Sequence, residues 1–252
     1  MTARRLAGAP HHLRAKYWRL RTQYLRTWRL FRFRLTHRGR SRLCNICGWQ
    51  GSQFLSTDDA PDATCPYCLS LPRHRLLKAV LDERTEPVRG SRILHVSPKG
   101  ELGLVRWFRS ISSRYVSIDK GGAWNAFSEG NAVVQMDLTR LAFSENSFDF
   151  VMCSHVLENI RDDRKAIAEV HRVLTPGGLA ALQVQLYGET TERIENPTAE
   201  DYYHVWHPGL DYFARYEEAG FSVRLYNGNR PKKEALGLYP RLVVPICVKL
   251  PQ

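Results

Sequence analysis

The sequence predicts an α/β protein: a mostly parallel sheet with helices on both faces, preceded by a small cysteine module and a basic arm. Three observations support this. From about residue 90 onwards, short apolar or β-branched runs alternate with helix-length amphipathic segments, as they do in parallel α/β folds. Four of the six cysteines form two close pairs ahead of this region. The first 42 residues hold 13 Lys and Arg and neither Asp nor Glu.

The composition is that of a globular protein with room for one substantial core. Of the 252 residues, 43% are apolar and 25% are charged, which excludes a wholly disordered or collagen-like chain. No apolar run approaches the about 18 residues of a membrane-spanning helix, and the N-terminus lacks the apolar segment of a secretory signal. We therefore expect a cytoplasmic protein, with a peripheral membrane contact as a further option.

Residues 1–42 form the basic arm. The net charge of +12 belongs to this segment, because the other residues hold 24 basic and 25 acidic side chains. On a helical wheel, apolar and aromatic residues between positions 13 and 35 form one stripe and arginines fill most of the rest, which predicts an amphipathic cationic helix. Four roles stay open: packing on the main domain, lying on an anionic membrane, binding RNA or DNA, and acting as an organelle transit peptide.

Residues 43–71 carry the cysteine pairs and predict a zinc ribbon. Two Cys-x-x-Cys knuckles are separated by 17 residues. Their members are Cys44, Cys47, Cys65 and Cys68. Four thiolates close a tetrahedral site with no open position, so the ion should be structural, and its binding energy should be the folding energy of the module. The alternative is two buried cysteine pairs or disulfides.

Residues 72–252 form the main domain. Pro72 opens a linking helix over 72–85, as proline does at the first helical position. The clearest strand-like runs are 92–97, 115–119, 148–154, 179–186, 221–226 and 242–249. The clearest helix is 162–174, and the Pro-Gly-Gly sequence at 176–178 should close it into a turn.

Polar residues follow the predicted strands at the edge where open parallel sheets bind their ligands. Among them are His95, Ser97, Gly100, Asp119, Asp137, Ser154 and His155. Two acids at separate strand ends suit a nucleoside, because Asp119 could accept both ribose hydroxyls and Asp137 an adenine amino group. Both aspartates could instead cap their loops.

The stretch from Met136 to Val184 contains an acidic loop, a Phe-Asp-hydrophobic run, the sequence His-Val-Leu-Glu and a hydrophobic-Pro-Gly-Gly turn, in this order. In these motifs the chain resembles the class I S-adenosylmethionine-dependent methyltransferases, particularly the bacterial methyltransferase-domain group, over about residues 90–250. Some relatives in that class also carry a preceding zinc ribbon, including a group that methylates rRNA.

The resemblance implies a Rossmann-like sheet and S-adenosylmethionine as cofactor. It places ribose binding on Asp119 and adenine binding on Asp137 with Leu138 beside it. The backbone around Ser154 and His155 would face the methyl donor.

The first motif departs from that family. Where the family has Asp-x-Gly-x-Gly-x-Gly, the run from His95 to Glu101 reads HVSPKGE, although glycines there let the backbone approach the methionine portion closely. We interpret 97–101 as an altered loop of a working site, with His95, Ser97 and Gly100 binding the cofactor. A non-catalytic zinc-ribbon binding protein with a degenerate site is the alternative from another class.

Two sets of residues concern the acceptor. His155 could act as a base for a substrate hydroxyl, or cap the next helix and shape the pocket. His204, Trp206 and His207 could line the substrate pocket or form a packed aromatic lid. The predicted function is methyl transfer to a small molecule or a saccharide or lipid precursor. RNA methylation, with ribbon and arm holding the RNA, is the enzymatic alternative, and the oligomeric state stays open.

Overall fold

The structure is a computed structural model that describes residues 32–33, 36–56, 60–83, 88–121 and 133–251. Most of the arm predicted over 1–42 lies outside these residues, so its four candidate roles remain predictions. Within the described ranges, no helix combines the length and the apolar character needed to cross a membrane.

The cysteine module consists of two knuckles and one short antiparallel pair. β1 (Arg42–Leu43) pairs with β2 (Gln50–Gly51). The four cysteines form its interior together with the fully buried ring of Phe54. Such a small apolar cluster cannot hold a domain by burial alone, which agrees with a module that depends on its cysteines.

Among the described residues, seven strands form the central sheet. In chain order the strands of the main domain are β3 (Arg92–Val96), β4 (Arg114–Asp119), β5 (Val133–Gln135), β6 (Phe148–Ser154), β7 (Leu174–Gln183), β8 (Glu192–Arg193), β9 (Trp206–His207), β10 (Phe221–Asn227) and β11 (Val243–Lys249). The sheet order is β10-β11-β7-β6-β3-β4-β5, and β8 pairs with β9 separately. Only β11 runs antiparallel to its neighbours, so the predicted mostly parallel sheet is confirmed.

Helices cover both faces of this sheet, as predicted. They are α1 (Pro72–Asp82), α2 (Leu102–Ile111), α3 (Asp163–Val173), α4 (Ala214–Glu218) and α5 (Lys233–Leu236). One apolar cluster joins the buried face of α3 to alternate strand residues such as Leu94 and Val151. The opposite cluster joins α1 and α2 to the intervening residues, such as Ile93 and Phe150. The period-2 alternation of strand side chains explains this division.

The boundary between α3 and β7 differs from the prediction. We expected a turn over 176–178 before the strand, but β7 begins at Leu174, directly after the helix. Its pairing with β6 is interrupted between Phe148 and Phe150, and Gly177 adopts φ +77°. The Pro-Gly-Gly segment is therefore an irregular insertion within the strand, because its ends already pair with β6 on either side.

The strand order reverses at β3, which lies between β4 and β6. Val96 pairs with Ile118 on one side and with Cys153 on the other. The next residues along each strand, Ser97, Asp119 and Ser154, therefore reach the same edge. This is the topological switch point at which open α/β sheets bind ligands.

Candidate functional site

The four predicted metal ligands lie together in the cysteine module. Their Sγ atoms are all within 4.8 Å of one another. The sulfur of Cys44 lies 3.6 Å from that of Cys68, and Cys47 and Cys65 are separated by 3.7 Å. Zinc–sulfur bonds of about 2.3 Å in a tetrahedron put the sulfurs about 3.8 Å apart. The donor set and its spacing therefore fit a closed structural zinc site.

Arg75 connects this module to the main domain, and the sequence did not single it out. Its guanidinium is fully buried and donates to the carbonyl oxygens of Ala63 (2.7 Å), Ser70 (2.8 Å) and Leu236 (2.6 Å). It also lies over the ring of Phe54, 3.9 Å from the centroid. Burial lowers the pKa of Arg75, yet three carbonyl partners and a ring compensate its charge. Ribbon and sheet are thereby packed as one unit.

The loop after β3, residues 97–101, is called the donor loop below. Ser97 has φ +47°, and its hydroxyl donates to Oδ2 of Asp119 at 2.7 Å. Nζ of Lys99 lies 3.2 Å from the same oxygen, and Gly121 N–H donates to Oδ1 at 3.0 Å. Burial raises the pKa of Asp119, but these hydrogen bonds and the Lys99 charge outweigh it and lower that pKa. Asp119 is therefore an ionised acceptor at the switch point.

His95 lies beneath the donor loop with both ring nitrogens engaged. Its Nε2 is 2.7 Å from Oε2 of Glu101, and its Nδ1 is 2.9 Å from the hydroxyl of Tyr115. The other oxygen of Glu101 lies 3.2 Å from Nε2 of His74. The His95 side chain is fully buried. It therefore supports the loop from below, and its side chain is not exposed for the cofactor contact we predicted.

Asp137 and Leu138 occupy the loop after β5. Oδ1 of Asp137 accepts from the backbone N–H (2.9 Å) and hydroxyl (2.8 Å) of Thr139, and its Oδ2 lies 2.9 Å from Nζ of Lys120. The Lys120 ammonium and the Thr139 donors lower the pKa of Asp137 to about 2. Leu138 is buried in the core. Asp137 thus caps its own loop, the alternative we left open, while its carboxylate stays partly exposed.

Polar side chains without partners gather at the carboxyl ends of β6 and β7. Ser154 pairs with Gln183 across the two strands. Among the described residues, the Ser154 hydroxyl, both amide atoms of Gln183 and Oε2 of Glu158 are buried without a hydrogen-bond partner. Nδ1 of His155 lies 3.2 Å from Oε1 of Glu158. An unpaired buried polar group costs about 1–3 kcal/mol, so four such atoms at a ligand-binding edge indicate a binding site.

The predicted pocket residues His204, Trp206 and His207 lie near this edge and divide into two groups. Nδ1 of His204 is 3.1 Å from the hydroxyl of Tyr187, and the ring of His207 stacks on Tyr187 with centroids 4.0 Å apart. Trp206 instead donates its indole N–H to the carbonyl of Ile160 at 2.9 Å, and Arg215 covers its ring. The histidines form a rim around Tyr187, whereas the contacts of Trp206 are those of a packed lid.

Comparisons with known proteins agree with this architecture. Residues 103–182 match the family described as "Methyltransferase domain". A demethylmenaquinone methyltransferase from Staphylococcus epidermidis is 39% identical over 25% of this chain and 26% of its own length. The ubiquinone/menaquinone biosynthesis C-methyltransferase UbiE from Pseudoalteromonas translucida is 35% identical over 31% of this chain and 32% of its own. The chain thus aligns with about a third of these relatives' length or less.

Solved structures show the same fold at low sequence identity. A chain from the complex of the Haloferax volcanii Trm112 methyltransferase activator with a methyltransferase superposes with a TM-score of 0.52 and 17% identity, over 71% of this chain and 91% of its own. An S-adenosylmethionine-dependent methyltransferase from Mesorhizobium loti gives 0.51 and 16% identity, over 69% and 97%. The main domain therefore has the fold of the S-adenosylmethionine-dependent methyltransferases, which confirms the predicted fold class.

Proposed function

We propose that this chain, whose main domain has the fold of a methyltransferase domain and matches its family over residues 103–182, transfers a methyl group from S-adenosylmethionine to a small-molecule acceptor. Asp119 is the observation that carries the proposal. It ends β4 at the switch point, and a carboxylate has about four lone-pair positions. Three of these positions face Ser97, Lys99 and Gly121, so one position remains for a ribose hydroxyl.

The donor loop adopts left-handed backbone conformations although Gly100 is its only glycine. Ser97 and Gly100 adopt φ of +47° and +71°, the left-handed conformation for which glycine is usually needed. Lys99 adds a positive charge beside Asp119. When S-adenosylmethionine binds, it supplies a methyl group on a positively charged sulfur, together with a carboxylate for which Lys99 is a suitable partner. We therefore propose that the donor loop binds the methionine portion and Asp119 the ribose.

Part of the proposed acceptor site lies outside the matched stretch. The family match ends at Leu182, immediately before Gln183 and ahead of Tyr187 and His204. The aligned relatives are covered over about a third of their own length or less, so the quinone substrates in their names carry little weight for this chain. The polar edge of β6 and β7 favours a hydroxylated small molecule, such as a saccharide precursor. RNA methylation depends on the ribbon and the arm, and most of the arm lies outside the described residues, so it remains a prediction.

We further propose that Cys44, Cys47, Cys65 and Cys68 bind zinc as a structural ion. A zinc ion with four thiolate ligands would have no open position for a substrate.

Calorimetric titration with S-adenosylhomocysteine tests the donor site. We expect micromolar binding to the wild type and binding weaker by roughly 10- to 100-fold in Asp119→Asn, because hydrogen bonds to a charged group contribute about 1.5–3 kcal/mol. Asp149→Asn is the matched control, since this carboxylate pairs with Arg92 at the opposite edge of the sheet. Absence of binding to the wild type at millimolar ligand would refute the proposal.

A further inference from the structure

Four residues at the carboxyl ends of β6 and β7 form what we call the acceptor cluster. Its members are Ser154, His155, Glu158 and Gln183. Ser154 and Gln183 are paired in register, and the backbone N–H of His155 donates to the carbonyl of Gln183 at 2.9 Å. Because β6 is also the neighbour of β3, the acceptor cluster lies beside the donor loop.

The unpaired atoms of the acceptor cluster both donate and accept hydrogen bonds. Glu158 is 0% exposed, Gln183 2% and Ser154 7%, so water has little access to them. Oε2 of Glu158 can only accept when ionised, the Gln183 amide offers one acceptor and two donors, and the Ser154 hydroxyl does both. Hydroxyl groups complement this set, because each can donate one hydrogen bond and accept others.

His155 presents one free nitrogen at the same place. Its Nδ1 faces Oε1 of Glu158 at 3.2 Å, which favours the tautomer with the proton on Nδ1. Nε2, for which the described residues offer no partner, then carries a lone pair, and the side chain is 28% exposed. The backbone of His155 has φ +53°, a conformation that costs energy in non-glycine residues and recurs at functional sites.

We propose that the acceptor cluster binds a neutral molecule with two adjacent hydroxyl groups, and that His155 removes the proton from the hydroxyl to be methylated. The inference rests on the proposed function, because that activity supplies the methyl group. The second hydroxyl bonds to Gln183 and Ser154. The buried carboxylate of Glu158 disfavours an anionic acceptor, because like charges repel strongly away from water.

In the transfer, the hydroxyl proton passes to Nε2 of His155 while the hydroxyl oxygen forms a bond to the methyl carbon. The carbon–sulfur bond of the donor breaks, and its electron pair stays on sulfur and neutralises the positive charge there. The imidazolium of His155 is stabilised by the Glu158 carboxylate and then returns its proton to water at its exposed edge. Glu158 is thus a positioning residue, which orients and stabilises His155.

The test uses the full-length, zinc-loaded chain and two vicinal diols, catechol and methyl β-D-glucopyranoside. S-adenosylhomocysteine release from S-adenosylmethionine is measured with each. We expect turnover with at least one probe; catechol alone would indicate an aromatic diol and the glycoside alone a saccharide. Turnover with neither probe would overturn the inference. If the wild type also fails to bind S-adenosylhomocysteine, the proposed function fails; if it binds, only this inference does.

His155→Asn is the decisive variant, because asparagine tolerates the left-handed backbone of this position. We expect kcat to fall about 100-fold or more, the usual contribution of a general base, with unchanged affinity for S-adenosylhomocysteine. Gln183→Ala should raise KM and largely preserve kcat. Glu145→Gln, an exposed carboxylate at the other end of β6, is the control. Wild-type turnover in His155→Asn would show that His155 is not the base.

The Glu158→Gln variant distinguishes a role of Glu158 in positioning His155 from a role in folding. Its amide oxygen can still accept the backbone N–H of Gln185, which lies 3.3 Å from Oε1 of Glu158, so the fold should persist, as a melting curve would verify. We expect kcat to fall while KM for the diol stays within about twofold. The imidazole signals of ¹⁵N-labelled histidine should show His155 in the Nδ1–H form in the wild type and a mixture in the variant. Identical spectra would contradict the assigned role of Glu158.

Discussion

Oε2 of Glu101 lies 2.7 Å from Nε2 of His95, inside the domain and directly beneath the donor loop. The same carboxylate reaches His74 on α1 with its other oxygen. Glu101 is 4% exposed and His74 1%. The carboxylate of Glu101 therefore joins the linking helix α1 to strand β3 without solvent between them. The donor loop is therefore anchored from below by a buried acid.

Glu101→Gln should weaken both folding and donor binding. The carboxylate of Glu101 contacts both His74 and His95, an unsatisfied buried polar group costs about 1–3 kcal/mol, and the donor loop loses its anchor. We expect a lower urea midpoint and weaker binding of S-adenosylhomocysteine. Glu145→Gln again serves as the control. Unchanged donor affinity at reduced stability would mean that Glu101 holds the fold without positioning the loop.

The free energy of unfolding should fall at acid pH because of the same residue, Glu101. Burial raises the pKa of Glu101, but His74 and His95 outweigh this effect and bring it below the ordinary value of 4.5. A depressed folded-state pKa means that the unfolded chain binds the proton more readily. The stabilisation that the ionised Glu101 contributes is therefore present above about pH 4.5, and it is lost as the pH falls towards the folded-state pKa. Urea unfolding between pH 7 and pH 3 should show a smaller loss in Glu101→Gln than in the wild type.

Zinc removal should unfold the cysteine module and destabilise the main domain. We expect one zinc per chain by atomic absorption and a marked drop in melting temperature with a strong chelator, because metal binding supplies the folding energy of such modules. Cys44→Ser should reproduce the effect without chelator, and Cys247→Ser, a core thiol in β11, should retain the metal. A full-length protein without zinc but with an unchanged melting temperature would disprove the zinc assignment.

Arg75→Met should separate the ribbon from the sheet. The substitution keeps much of the apolar stem but leaves three carbonyl oxygens without their donor, and each unsatisfied buried group costs about 1–3 kcal/mol. We expect a loss of several kcal/mol in urea unfolding and faster proteolysis within 43–71. Arg89→Met, at an exposed position, should change neither measurement. A single unfolding transition at the wild-type midpoint would contradict this function of Arg75.

The sequence was sufficient for features that depend on local spacing. Two knuckles of fixed length predicted the thiolate cluster, and alternating periodicities predicted the parallel sheet, whose edge gathers Ser97, Asp119 and Ser154. It was insufficient where the partner lies far along the chain. Arg75 looks like any surface arginine of an amphipathic helix, because only packing brings Leu236 within 2.6 Å of its guanidinium.

The acceptor cluster was likewise predictable only in part from the sequence. His155 follows a predicted strand, so its position at the ligand edge could be anticipated. The burial of Glu158 and Gln183 could not, because it depends on how other elements of the fold pack around them. In hindsight, the glutamate of the His-Val-Leu-Glu run, three residues after His155, was the available signal.

The contact between Gly103 and Cys68 links metal chemistry to the architecture of the helix that follows the donor loop. A β-carbon on Gly103 would lie 2.9 Å from Sγ of Cys68, so the first turn of α2 rests directly on a sulfur of the proposed zinc site. A zinc ion with four thiolates carries a net charge of −2, and the positive end of a helix dipole stabilises a nearby anion. A side chain at this position would push the helix and the metal centre apart and weaken that attraction. Steric contact with Cys68 therefore favours glycine at residue 103, and the close approach that glycine permits brings the positive end of α2 to the cysteine cluster.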